Sequence, residues 1–213
     1  MEKKPSRQTR ERILATALRL FNTLGEPGVT PAAIAVEMEI SPGNLYYHFH
    51  SKTDIVNALF ARYEEEIGRL LLAVDDHAQE PEDIWLFLHL LFETICQYRF
   101  FYHDINNLLL SNRLVETHFT RILRRKEEAA ATLCHNLARA GVLQAGDSEI
   151  HALAVNMALV CTFWISYEHA RSPRTEPDIG RGAYQVMQLA APYLQGEART
   201  LLERISHHYL ARQ

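Results

Sequence analysis

Apolar residues recur along this chain at intervals of three and four, and strict alternation is almost absent, which is the pattern of amphipathic helices rather than strands. The first stripe, Ile13, Ala17, Leu20, Phe21 and Leu24, has Thr9 as its expected N-cap and stops at Gly25, Pro27 and Gly28. Thr30-Pro31 has the form of an N-cap followed by a first-turn proline, opening a short helix with Ile34, Ala35 and Met38 on one side. Ser41-Pro42 repeats that start signal a few residues later, and Ser51 with Asp54 opens a fourth helix through Ile55, Leu59, Tyr63 and Ile67. Beyond it the pattern predicts helices over 82–98, 102–111, 113–140, 147–170, 179–194 and 196–211. The expected fold class is all-α, with about nine to ten helices in total.

Two short helices joined by about three residues, the second starting at Ser-Pro-Gly, match a helix-turn-helix whose second helix enters the major groove of DNA. In the segment SPGNLYYHFHSK, Ser41 to Lys52, Leu45 and Phe49 are four apart and face one way. They are the packing pair. Gly43, Asn44, Tyr46, Tyr47 and His48 fall on the remaining surface. Hydroxyls of serine, threonine and tyrosine hydrogen-bond phosphate oxygens, and Lys52 adds a positive charge at the next helix start. Asn44 has the two-pronged amide that pairs with adenine, the Tyr46 ring suits a thymine methyl, and Gly43 lets backbone approach closely.

Charge distribution supports a polyanion-binding end. Residues 1–62 hold eight Lys/Arg against six Asp/Glu, a balance of +2, while residues 63–213 hold fourteen against twenty, a balance of −6. Three cysteines, Cys96, Cys134 and Cys161, lie far apart in apolar helical contexts, as small buried hydrophobes in a reducing compartment do. No run of eighteen uncharged apolar residues and no N-terminal apolar segment is present, so the expectation is a cytoplasmic protein without a membrane partner. No nucleophile elbow, phosphate loop, metal-ligand spacing or credible carboxylate pair occurs, so no catalytic residue, metal or cofactor is expected.

The stretches T-x-E-x-I-x-x-A-x-x-L-F (Thr9 to Phe21), G-V-T-P-A-A-I-A (Gly28 to Ala35) and S-P-G-N-L-Y-Y-H-F-H-S-K (Ser41 to Lys52) resemble the DNA-binding head of the TetR family of bacterial regulators. The segment Phe100 to Asn112, FFYHDINNLLLSN, is similar to a subgroup of that family. The resemblance implies a three-helix helix-turn-helix head over residues 1–52, a connecting helix over about 52–73, and a larger helical ligand-binding and dimerisation body over 53–213. It further implies a homodimer with its two heads in successive major grooves of a near-palindromic double-stranded operator, the half-sites roughly 34–36 Å apart or slightly more. By motif position Thr30, Ser41, Tyr47, His48 and Lys52 are then phosphate contacts, and Gly43, Asn44 and Tyr46 groove residues. Pro42 stands where many relatives carry a cation or a small residue, a loss that Lys3, Lys4 or Arg7 would have to offset.

Such a regulator needs a small-molecule effector site, because a ligand shifts an equilibrium only through unequal affinity for its two states. Aromatics are plentiful in the body, from Trp85 and Phe87 through Tyr98 to Tyr102 and on to Phe163 and Trp164, and most of these must be core. Polar interruptions of the stripes are more informative. The expected pocket residues are Trp85, His89, Phe92, His103, Asn107, Asn156, Trp164 and Tyr167, and the effector they suit is mostly hydrophobic. The helices over 147–170 and 179–194, with Ala154, Ala158, Ala183, Met187, Ala190 and Ala191, are by resemblance the dimer interface, although burial within one subunit gives the same stripe. Arg121, Arg124, Arg125 and Lys126 read as a solvated basic face with internal ion pairs. The competing reading of the whole is a dimeric ligand- or partner-binding module that has lost specific DNA binding.

Overall fold

The computed structural model describes residues 4–76, 81–173 and 175–210. Among them are eleven α-helices: α1 (Lys4–Leu24), α2 (Pro31–Glu37), α3 (Pro42–His48), α4 (Lys52–Leu72), α5 (Pro81–Gln97), α6 (Phe100–His103), α7 (Ile105–Ser111), α8 (Arg113–Arg139), α9 (Asp147–Arg171), α10 (Ile179–Ala190) and α11 (Gly196–Leu210). The helix α1 already runs from Lys4, so Thr9 lies inside it and is not its N-cap. Lys3 and the side chain of Lys4 lie outside the described residues.

The helices divide into two compact units, one of Met1–Glu65 with Tyr98–His118 and one of Glu66–Gln97 with Phe119–Gln213. The division is therefore not a single cut near residue 52. The segment from Tyr98 folds with the head because its aromatic rings form that unit's core. Phe100 lies 5.1 Å from Phe21, Phe101 lies 5.2 Å from Phe60, and Tyr98 lies 5.6 Å from Tyr63, ring centre to ring centre. The hydroxyls of Tyr63 and Tyr102 hydrogen-bond to each other, both rings being sealed from solvent. Phe100, Phe101 and Tyr102 are consecutive and all buried, which one face of a straight helix cannot accommodate. The helix expected over 102–111 is accordingly two, α6 and α7, broken at Asp104 (φ −130°, ψ 38°).

In the second unit α10 packs on α5 and α9 through a close approach at Gly182. A Cβ there would lie 2.7 Å from Phe92 Cε1 and 2.8 Å from Trp164 Cδ1, so any larger residue forces two ring-bearing helices apart. The helix ends at Ala190 rather than near 194, and Pro192, which has no N–H to give, sits in the short 3₁₀ turn Ala191–Tyr193. At the end of α8, Gly141 takes a left-handed φ of 73° and lets the Val142 amide return to the Leu137 carbonyl at 2.9 Å. The following residues are pinned by Gln144 N–H to Tyr193 O (2.8 Å) and Gln195 N–H to Val142 O (2.9 Å).

By length and composition α9 is apolar enough to cross a membrane, its most apolar 18-residue window having a mean hydropathy of 1.5. Its composition has another source: the helix is apolar on two faces. Ile150, Leu153, Ala154, Ala158, Cys161 and Ile165 are buried, while Val155, Leu159, Phe163 and Tyr167 are exposed at four-residue spacing.

Candidate nucleic-acid interface and internal cavity

The candidate surface is built from caps upward. Thr30 Oγ1 accepts the Ala33 amide at 3.1 Å and Ser41 Oγ accepts the Asn44 amide at 3.2 Å, so each short helix starts where its Ser/Thr-Pro signal predicts. In accepting, each hydroxyl keeps its own proton to donate to an outside oxygen. Between α2 and α3 the chain turns through Glu39 at φ 56°, with the Ile40 amide bonded to the Ala35 carbonyl at 3.0 Å. A left-handed glutamate costs on the order of 1–2 kcal/mol, a local strain held by the packed helices on either side.

Leu45 and Phe49 are buried, as the spacing predicts, and Arg10 places its guanidinium 4.8 Å from the centre of the Phe49 ring. The other face of α3 points outward. Tyr47 is 75% exposed and Tyr46 44%, values that rule out a core role for either ring. Pro42, Gly43 and Asn44 are exposed beside them, and His48, half-buried, meets Tyr47 edge to face at 5.2 Å. A Cβ on Gly43 would meet nothing nearer than Ser41 Oγ at 4.0 Å. Packing within the chain therefore does not demand glycine there.

The cations are more engaged than the sequence suggests. Lys52 Nζ is 3.0 Å from a Glu26 carboxylate oxygen and donates to the Glu26 carbonyl, also at 3.0 Å. Its charge is partly used in closing the loop before α2. Ser51 and Asp54 exchange amide and side-chain bonds at 2.9 and 3.1 Å, the capping box expected at the start of α4. Arg19 pairs with Glu37 and Arg62 with Glu11, while Arg7 and Arg12 are exposed on α1.

The second unit contains a cavity of about 110 Å³ between α5, α8, α9, α10 and α11. Phe87, Leu91, Leu133, Met157 and Met187 are typical of its walls. None of the eight residues expected to line a pocket lines this one, and no single site gathers more than two of them among the described residues. Phe92 and Trp164 are packed on Gly182, and the Trp164 indole donates to the Asp178 carbonyl at 3.2 Å. Trp85 stacks on His89 at 5.2 Å, Asn156 is exposed on α9, and His103 and Asn107 belong to the other unit. Asn107 is satisfied there by the Asp104 carboxylate at 3.2 Å. Trp164 and Tyr167, with Phe163, Leu159 and Arg181, instead border an open groove of about 310 Å³ on the outward face of α9 and α10.

One wall residue of the cavity departs from the rest. Lys126 is 3% exposed, so it is not part of a solvated basic face. It lies in the apolar stripe Phe119, Ile122, Lys126, Ala129, Leu133 of α8, which carries it inward whatever its chemistry. Its Nζ donates to Thr162 Oγ1 at 3.2 Å. Burial pulls its pKa down from 10.5 to about 8, a shift opposed by the neighbouring Cys161. Burial also pushes the Cys134 and Cys161 thiols up to about 11, so both remain protonated and unreactive near neutral pH. Lys126 was detectable in sequence, because a charge at the centre of a three-four apolar spacing is anomalous. The adjacent Arg124 and Arg125 disguised it as one of a surface run.

An exposed helix-turn-helix in one unit and an apolar cavity in the other define an all-helical DNA-binding-type protein with a separate ligand-sized interior. A family model described as bacterial regulatory proteins of the tetR family matches residues 13–59, and one described as bacterial transcriptional repressor matches residues 62–202. The chain belongs to the TetR family. A TetR-family transcriptional regulator from Marinobacter aquaeolei VT8 superposes with a TM-score of 0.86 at 34% identity, over 94% of this chain and 98% of that one. The regulator AcrR of Shigella flexneri is 30% identical over 102 residues, 46% of each chain, and TtgW of Pseudomonas putida is 34% identical over 56 residues, 26% of this chain and 42% of that one. The chain thus spans under half the length of these curated relatives.

Proposed function

We propose that this protein is a ligand-responsive transcriptional regulator, a repressor that binds a near-palindromic operator as a dimer and leaves it when a small, mostly hydrophobic effector occupies the second unit. Its role is binding, with no catalytic step. The observation that carries the reading is the division of α3 into two faces: Leu45 and Phe49 sealed inside, Gly43, Asn44, Tyr46 and Tyr47 presented to solvent. Exposed paired aromatics and an amide on a short, firmly capped helix support a groove contact, in which Tyr47, His48, Thr30 and Ser41 would meet phosphates and Asn44 and Tyr46 base edges. Lys52, already bonded to Glu26, steadies the loop as well as adding charge.

The outward stripe Val155, Leu159, Phe163 and Tyr167 supports the dimer, since a second copy would cover it across a two-fold axis. The alanines expected at that interface, Ala154, Ala158 and Ala183, are buried within the chain itself, and the exposed neighbours take the role instead.

The test is fluorescence anisotropy with the DNA upstream of the chain's own gene. Binding should weaken steeply with salt, and Tyr47→Ala or Asn44→Ala should weaken it about tenfold or more while the thermal midpoint stays put. The engagement of Lys52 and the scarcity of cations on α3 favour one alternative, a dimeric ligand-binding module without DNA affinity. Absence of binding at low salt selects that alternative.

A further inference from the structure

We infer that Arg10 is a phosphate contact of the DNA surface, its guanidinium carried on the Phe49 ring at the end of α3. The inference rests on the DNA-binding reading of the first unit and adds to that surface a residue of α1, outside the helix-turn-helix itself.

The spacing of α1 explains how a cation comes to stand there. Arg10 precedes the buried residues Ile13, Leu14 and Ala17 by three, four and seven positions, so it continues their inward stripe by one more turn. An arginine at such a position lays its methylenes along apolar surface and brings its charged head out at the margin. Arg10 is half-buried, and its guanidinium carbon lies 4.8 Å from the centre of the Phe49 ring. Phe49 is the C-cap of α3, and the two residues before it are Tyr47 and His48, the pair assigned above to phosphates. The cation therefore stands at the same end of the same short helix as those two side chains.

The nature of its neighbour separates Arg10 from other cations of the first unit. Arg19, Arg62 and Lys52 each meet a carboxylate, of Glu37, Glu11 and Glu26 respectively. Among the described residues Arg10 meets a ring and no carboxylate. A carboxylate cancels a cation's charge and occupies its donors. An aromatic face does neither, and leaves five N–H groups for an oxygen acceptor. The guanidinium fork also matches a phosphate with two parallel bonds, which an ammonium cannot do. On α3 itself the polar groups are an amide, two phenols and an imidazole, so a polyanion docking there gains from Arg10 a permanent charge that the helix lacks.

The experiment follows fluorescence anisotropy of the full-length chain on the duplex upstream of its own gene and on a random-sequence duplex of equal length. Each is titrated across a salt series for the parent, Arg10→Gln, Arg10→Met and Arg10→Lys, with the fold of each variant checked by circular dichroism. In Arg10→Gln affinity for both duplexes should fall about tenfold, because a phosphate contact carries no sequence information. The slope of log affinity against log salt should fall by about 0.9 for each subunit bound. Arg10→Met keeps the apolar stem, should show the same slope loss, and serves where glutamine disturbs the fold. Arg10→Lys should restore the slope and part of the affinity, since it keeps the charge and loses the fork. A residue that only props Phe49 would weaken the upstream duplex and leave the slope unchanged. That result, or parental affinity and slope in the neutral variants, overturns the phosphate assignment and leaves the DNA-binding reading standing. No binding of either duplex by the parent at low salt overturns both together.

Discussion

Lys126 carries the most information of any single residue here, because packing and chemistry disagree at its position. The spacing of α8 sends it inward among Phe119, Ile122, Ala129 and Leu133, yet an ammonium belongs in water. The consequence for stability has a definite sign. In the unfolded chain the amine titrates near 10.5 and in the native fold near 8, so between those values the unfolded state holds more protons. Stability then rises with pH across that window, and below about pH 8 the full penalty of burying the charge is present. In Lys126→Met that rise should be missing from urea unfolding curves taken between pH 8 and pH 10.5. A rise of the same size in the methionine variant would mean that another group titrates in that window. In α3 the inward pair Leu45 and Phe49 was legible from sequence because a heptapeptide offers few ways to arrange one apolar pair. In the body they were not. Trp164 and Phe92 are aromatic for the sake of a glycine contact 2.7–2.8 Å from where its Cβ would be, and no one-dimensional pattern distinguishes that from lining a pocket.

Elements were legible to the extent that their ends carry local chemistry. Ser/Thr-Pro starts, the Ser51–Asp54 capping box and the glycine stop after α8 all act within a few residues, and each is found where it reads. The break between α6 and α7 depends on Phe21, Phe60 and Tyr63, distant in sequence, and so does the membership of Tyr98–His118 in the first unit. The helix α9 makes a different point. Its two apolar faces erase the amphipathic signal, and only coordinates separate the inner set from the outer stripe of Val155, Leu159, Phe163 and Tyr167. Sedimentation of the intact chain should give about twice 24.5 kDa, and Leu159→Glu, a charge in the middle of that stripe, should weaken self-association by at least about a hundredfold while helicity is retained. An unchanged dimer in Leu159→Glu would move the interface to another face.

For the whole molecule, the charge segregation and the two compact units agree with the proposed reading, DNA contact by the first unit and ligand binding by the second. The basic balance of the first 62 residues, +2, is small, and several of its cations are already paired with Glu26, Glu37 and Glu11. Hydroxyls, an amide and backbone donors must then carry much of the contact, which makes geometry more important than bulk charge. Geometry is what a hydroxyl-radical footprint of the upstream DNA reads. Two protected windows related by a dyad, their centres about one helical turn or slightly more apart and both lost in Tyr47→Ala, are the predicted result. A single unpaired window, or uniform DNA cleavage at protein concentrations where the dimer is formed, would contradict the account.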